Sequence, residues 1–222
     1  MQERLEKMQR DWDARALENA RHYVASSRID WTDDEFLLSG ERTVQEEILT
    51  DMTNICQGKE PGSMRVLEIG CGVGRLTRAL ARWFGEVHAV DISGEMIRLA
   101  RETLAGCANV SLYQNNGADL AVLPDLPFDF AYSTLVFQHI GSREVIESYV
   151  REVHRLLRPG GLFKFDVQGC TTLATNPDNT WLGAPFSEEQ AIAMAHRCGF
   201  EPRYLHGAGT QALWLWFFKK PA

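Results

Sequence analysis

No stretch of this chain approaches the ~18 consecutive apolar residues of a membrane-spanning helix. The first fifteen residues, MQERLEKMQRDWDAR, are charged throughout and lack the apolar core of a secretory leader. Cysteine is sparse. Cys56, Cys71, Cys107, Cys170 and Cys198 are scattered, odd in number and never paired as Cys-x-x-Cys. That pattern indicates neither a zinc site nor a disulfide framework, so no metal is expected and the expected setting is reducing and cytoplasmic. Basic runs are missing too. Lys and Arg number 23 against 30 Asp and Glu, a formal charge of -7. Arg65, Arg75, Arg78, Arg82, Arg98 and Arg101 are interleaved with acids and apolar residues. A phosphate backbone needs clustered cations, so nucleic acid is disfavoured as a partner, and a membrane partner is not expected. There is no internal repeat and no low-complexity linker.

What is there is an ordinary globular chain of 222 residues, 45% hydrophobic, long enough for one large domain. From Met64 onward, strand-like and helix-like segments alternate. RVLEIG, EVHAVDIS, NVSLYQNN, PFDFAYSTLV and GLFKFDVQG read as strands. RLTRALARWF places Leu76, Leu80 and Trp83 or Phe84 on one helical face, and GEMIRLARETL does the same with Met96, Leu99 or Ala100, and Thr103. SREVIESYVREVHRLL is a longer helix, with Ser142 as its N-cap and Pro159-Gly160-Gly161 at its end. Ser187 and Gln190 fit a capping box opening a last helix. EPRYLH and QALWLWFFKK then follow across GAGT, too short a link for anything but an antiparallel hairpin. The expected fold is α/β: a Rossmann-like sheet of six parallel strands plus one antiparallel C-terminal strand, with helices on both faces. Residues 1–60 are expected as an N-terminal helical lid and 61–222 as the main domain, compact together.

The candidate ligand site is VLEIGCGVGRLT, where Gly70, Gly72 and Gly74 follow a strand and open a helix. Ligands of open parallel sheets bind beyond the carboxyl ends of the strands. Asp91 ends the next strand, where an acid accepts both hydroxyls of a ribose; the plainer alternative is a helix cap beside Ser93. A dinucleotide loop wants a third glycine where Arg75 stands, and a pyrophosphate would be repelled by Glu68. A cationic, phosphate-free ligand would not be.

In these motifs, and in their order, the chain resembles the class I S-adenosylmethionine-dependent methyltransferases. LEIGCGVG is similar to the family's first motif, VHAVDIS to its second and NNGADLAVLPD to its adenine-binding stretch. FDFAYSTLVFQHI is similar to the fourth strand and methyl-transfer loop, LLRPGGLFKF to the following turn, and the last two strands to its hairpin. The resemblance covers Met64 to Lys219 and implies S-adenosyl-L-methionine as cofactor, with S-adenosyl-L-homocysteine as product. It places Glu68, Gly70 and Gly72 around the methionine part, with Gly74 in the same loop. Asp91 would hold the ribose, Ile92 would pack on the adenine, and Asp119 and Leu120 would meet the adenine edge. Met96, Gly117 and Thr134 complete the implied cofactor set. Because Ala118 separates Gly117 from Asp119, Asn116 stands as an alternative adenine contact.

Acceptor-side candidates are Phe137, Gln138 and His139 after strand four, Gln168 at the end of strand five, and the N-terminal helix. There Trp12, Asn19 and Tyr23 fall at i, i+7 and i+11, with Arg15 beside them. Tyr23 would reach the methionine end of the cofactor, Trp12 and Asn19 the acceptor, and Trp31, Phe36 and Arg42 would complete the lid. His139 suits a general base near neutrality, though holding the loop is the plainer role. The Pro-Pro signature of DNA and protein amide methyltransferases does not follow strand four. With the acidic charge, this favours methylation of an oxygen or nitrogen in a small molecule. A non-catalytic binding or scaffold protein of the same fold is the alternative. Acceptor identity and oligomeric state are not legible.

Overall fold

The computed structural model describes residues 2–173, 176 and 178–221. The chain forms two compact units, Met1–Gly117 and Ala118–Ala222. Together they supply the seven strands of a mixed, Rossmann-like sheet, six of them parallel and β7 antiparallel.

In the first unit, β1 (Arg65–Ile69), β2 (Glu86–Asp91) and β3 (Val110–Gln114) pair in parallel in the order β3-β2-β1. Val66, Leu67, Val87, Ala89 and Val90 are fully shielded, as expected where helices cover both faces of a parallel sheet. The helices are α1 (Gln2–Val24), α2 (Asp33–Glu47), α3 (Met52–Cys56), α4 (Arg75–Leu80) and α5 (Gly94–Thr103). α2 opens with a capping box between Thr32 and Glu35. α4 stops four residues before the RLTRALARWF pattern does. The Asn109 side chain donates to the carbonyls of both Ala81 and Phe84, at 2.9 Å each, and so satisfies groups that a longer helix would have bonded. Phe84 is buried while Trp83 is 48% exposed, which settles the choice between them.

α1 is not one straight helix. Asn19 has φ -164° and ψ 80°, and breaks it. The Asn19 side chain accepts from the His22 amide and donates to the Ile29 carbonyl, so it caps the piece that follows and ties down the next loop. The i, i+7, i+11 alignment of Trp12, Asn19 and Tyr23 therefore does not hold across a continuous helical face.

In the second unit, the order is β4 (Phe128–Ser133), β5 (Leu157–Val167), β7 (Leu213–Lys219) and β6 (Phe200–His206). β4 and β5 run parallel; β7 runs antiparallel to both β5 and β6 and closes the expected hairpin. α6 (Arg143–Leu156) is capped by the Ser142 hydroxyl, and α7 (Glu188–Arg197) by the Ser187–Gln190 box. α6 ends at Leu156; Leu157 is already extended, and β5 runs through the Pro-Gly-Gly. Phe137, Tyr149, Phe163, Phe165 and Phe217 form a connected ring cluster between β5, β7 and α6, with edge-to-face contacts at 5.1–6.1 Å among Phe137, Phe163, Phe165 and Phe217.

α2 sits so close to α4 that a Cβ on Gly40 would lie 2.4 Å from the Arg75 carbonyl oxygen. Gly→Ala normally gains up to about 1 kcal/mol inside a helix. Here the clash is with backbone, and overpacking of this kind costs about 1–3 kcal/mol. Gly40→Ala is therefore expected to lower the stability measured by denaturant unfolding. A stabilised variant would mean that α2 and α4 can separate without loss.

Candidate functional site

The glycine loop carries the first unit's candidate site. Gly70, Gly72 and Gly74 have φ of 76°, 52° and 85°, a left-handed sequence that side chains tolerate poorly. The amides of Gly70 and Cys71 donate to the Val90 carbonyl at 2.8 and 3.0 Å, and the Gly72 amide donates to Asp91 Oδ2 at 2.8 Å. A phosphate cradle presents such donors to its ligand. This loop directs them back into the sheet and places two carboxylates beside them instead.

Asp91 has its second oxygen, Oδ1, on the Ser93 amide at 2.9 Å. Each oxygen retains a further lone-pair direction, since an ionised carboxylate offers about four acceptor sites. Asp91 thus shapes the Ser93 turn and keeps spare acceptor capacity. Burial pushes its carboxyl up to about 6, opposed by the Ser93 and Gly72 amides. Glu68 is 2% exposed and accepts from the Thr77 hydroxyl at 2.6 Å. Burial raises it to about 7, against the Thr77 bond and the charge of Arg75, with Asp91 adding repulsion. Arg75, buried at the start of α4, donates to the Ser39 and Thr43 hydroxyls of α2.

Around this pair, Met96 is buried in the cluster with Ala16, Phe36 and Val73, and Trp12 and Trp31 pack against it. A Cβ on Gly72 would meet Val24 at 2.6 Å, and one on Gly117 would meet Ile92 at 2.5 Å and Met8 at 3.1 Å. The C-terminal end of α1 therefore rests on the glycine loop at Gly72, and Met8 near its other end lies close to Gly117. Asn116 is exposed at the end of the unit. Trp12 carries the Arg15 guanidinium at 4.7 Å, with Tyr23 at 6.0 Å on the same cation. The Tyr23 hydroxyl donates to Glu18 at 2.9 Å. Phe36 is core, at 2% exposed, so it supports the helical segment from inside. α1 also contributes Asp13, which sequence reasoning passed over although it follows Trp12 directly. Asp13 Oδ1 accepts from the Ser93 hydroxyl at 2.6 Å and the Glu95 amide at 3.1 Å.

The second unit holds the other candidates. Asp119 accepts from the Ala121 amide at 3.0 Å, Leu120 is fully buried, and Thr134 is half-buried after β4. His139 is buried and packs against the Trp181 ring at 4.7 Å. Its Nδ1 lies 2.6 Å from the Trp181 carbonyl oxygen, which can only accept. In the neutral ring Nδ1 therefore carries the hydrogen, and Nε2 keeps the lone pair, facing the Gln138 amide nitrogen at 3.3 Å. The Gly183 amide bonds the Gln138 carbonyl, and Ala184 bonds Ile140. Gln168 accepts from the Cys170 amide at 3.0 Å and is 1% exposed. Phe137 corrects the sequence reading. Its ring is wholly buried among Tyr149, Phe163 and Phe165, so it anchors the loop rather than facing an acceptor.

Among the described residues, no group of three or more His, Cys, Asp or Glu is placed to hold a metal ion, and no helix is long and apolar enough to cross a membrane.

Glu68 and Asp91 give the stability a pH signature. Glu68 titrates near 4.5 unfolded and about 7 folded. Between those values the folded state holds a proton that the unfolded chain has lost, so stability falls as pH rises through that window. The full shift corresponds to about 3 kcal/mol. Asp91 adds a fall of the same sign between 3.8 and about 6. Denaturant unfolding at pH 5 and pH 8 should show wild type losing stability with pH, and Glu68→Gln losing clearly less. Equal losses would mean that Glu68 is ionised in the folded protein.

The profile of a family described as a methyltransferase domain matches residues 66–161. A ubiquinone biosynthesis O-methyltransferase from Xanthomonas axonopodis pv. citri is 32% identical over 46% of this chain and 42% of its own. A malonyl-[acyl-carrier protein] O-methyltransferase from Salmonella typhimurium is 29% identical over 79% of this chain and 66% of its own. The chain thus spans less than two thirds of the length of these curated relatives. Among solved structures, magnesium protoporphyrin IX methyltransferase from Synechocystis PCC 6803 with bound SAH superposes with TM-score 0.69 at 15% identity, over 98% of this chain and 100% of that one. The DhpI–SAH complex gives 0.65 at 19%, over 98% of both chains. At those identities the structures share the fold. Residues 66–161 thus match a methyltransferase domain, and that match and the curated relatives support the class I S-adenosylmethionine-dependent methyltransferase family.

Proposed function

We propose that the protein transfers the methyl group of S-adenosyl-L-methionine to an oxygen or nitrogen of a small-molecule acceptor. The observation that carries the cofactor class is the glycine loop: amides turned inward and two acids alongside, Glu68 buried and Asp91 half-buried, suit a cation and repel a pyrophosphate. The residues fit the cofactor. Asp91 accepts from the ribose hydroxyls with its remaining lone pairs, and Glu68 with the loop backbone at Gly70, Gly72 and Gly74 surrounds the methionine part. Ile92, Met96, Asn116 and Gly117 line its side of the first unit, while Asp119, Leu120 and Thr134 keep the roles that the motif implies. When bound, S-adenosyl-L-methionine supplies an electrophilic methyl carbon. The chain's task is then alignment, exclusion of water and, for a protonated acceptor, removal of a proton.

We assign that last task to His139 Nε2. The Trp181 carbonyl fixes the tautomer with its lone pair at Nε2, and the Gln138 amide is the group an acceptor would displace. The curated relatives named above are O-methyltransferases, which favours oxygen. α1 acts as the lid, with Trp12, Tyr23 and the hinge residue Asn19 on it; the setting is cytoplasmic.

Calorimetry with S-adenosylhomocysteine tests the cofactor site. Asp91→Ala should weaken binding by roughly tenfold or more, since bonds to a charged acceptor are worth about 1.5–3 kcal/mol each. NAD should not compete, and an unchanged dissociation constant in the variant would remove Asp91 from the site. Turnover on a panel of phenols, carboxylates and amines tests the reaction. On the acceptor so found, His139→Ala should lower kcat by about 10²–10⁴-fold, with the loss shrinking as pH approaches the acceptor's own pKa. Gln138→Ala should act mainly on KM. Equal, pH-independent losses would make His139 a holder of the loop only.

A further inference from the structure

The Asp13 carboxylate is eighty residues away in sequence from the turn it serves. Its Oδ1 takes both the Ser93 hydroxyl and the Glu95 amide. Ser93 is fully buried and already caps α5 through Met96, at 3.0 Å. Its amide donates to Asp91, as does the amide of Gly72. A continuous chain of hydrogen bonds therefore runs from α1 through Ser93 and Asp91 into the glycine loop. Ser93 alone would have capped the helix. The second acceptor comes from the lid helix, and it fixes the turn that aims Asp91.

We propose that Asp13 is a positioning residue for the cofactor: it ties α1 to the 91–95 turn and thereby sets the orientation and charge of the carboxylate that meets the ribose. This rests on the methyltransferase reading above and adds a residue to it. The consequence is that lid and ribose site are one unit. Displacing α1 slackens the Ser93 turn, and ordering Asp91 on the ribose seats α1.

Charge separates this role from simple capping. The groups facing Asp91 are Asp13 from α1, Glu68 from β1 and the Cys71 thiol of the loop, with Arg75 of α4 acting on Glu68. Glu95 on α5 is engaged by Arg98. Asp13 disfavours an ionised Asp91 by like-charge repulsion, the bound ribose prefers it, and burial has already raised it to about 6. Affinity for S-adenosylhomocysteine should therefore rise as pH increases through that value. Removing the Asp13 charge should move the rise to lower pH.

The test is calorimetry of S-adenosylhomocysteine on the full chain between pH 5 and 8.5, for wild type, Asp13→Asn and Asp13→Ala. Asp13→Asn keeps an acceptor oxygen. It should hold affinity within about threefold at pH 8 while its midpoint falls by about 0.5–1 pH unit. Asp13→Ala loses both bonds and should bind roughly tenfold more weakly at pH 8. If the alanine variant does not fold, the asparagine midpoint decides. Wild-type behaviour of the alanine variant, or an asparagine midpoint that does not move, overturns the proposal. Wild type that fails to bind S-adenosylhomocysteine overturns the methyltransferase reading itself, whereas binding that neither variant disturbs sinks Asp13 alone.

Discussion

Asp91 accepts the Gly72 amide on one oxygen and the Ser93 amide on the other, and the local order of the first unit follows from those two bonds. The Gly72 bond holds a left-handed turn that would otherwise leave a buried N–H without a partner. The Ser93 bond sets the start of α5, whose Met96 then packs under Val73 in the loop. The same carboxylate that builds the turn is thus left with lone pairs pointing elsewhere. A carboxylate has more acceptor directions than two amides use. The cap reading of Asp91 is the one its bonds to the Ser93 and Gly72 amides bear out.

The second unit solves a different problem, holding a polar pair inside an aromatic core. Phe137 drives into the ring cluster and drags the short turn 137–139 with it. Gln138 and His139 follow into a buried setting, where unmade hydrogen bonds are costly. The segment 181–186 meets that demand with the Trp181 carbonyl and the Gly183 and Ala184 amides. Gly183 has no room for a side chain there, since a Cβ would sit 2.5 Å from Gln138 backbone. The fixed histidine tautomer is a by-product of this packing.

Features decided by local chemistry were legible in the sequence. The strands, the glycine turn, the caps at Ser142 and Ser187 and the terminal hairpin depend on neighbouring residues. What was not legible depends on partners far along the chain. α4 is cut short by Asn109, and α1 is broken by an Asn19 side chain that finds a carbonyl ten residues on. Phe137 looked like a pocket residue because a hydrophobic residue in a functional loop reads the same whether it faces in or out. Asp13 lay inside a pattern that drew attention to its aromatic neighbours, and its importance shows only when Ser93 is brought beside it.

A buried Glu68 with a half-buried Asp91 near it is a liability in a chain of charge -7 unless something rewards the pair. Arg75 offsets Glu68 only in part, because its guanidinium is also bonded to Ser39 and Thr43. The result is a pair of carboxyls held near 7 and 6, one step from losing protons. A cationic ligand arriving there gains Coulomb attraction and ionises the acids that attract it. A ligand bearing phosphate meets the same groups as repulsion. The raised proton affinity of both groups has the same main source, burial on β1 and at the end of β2.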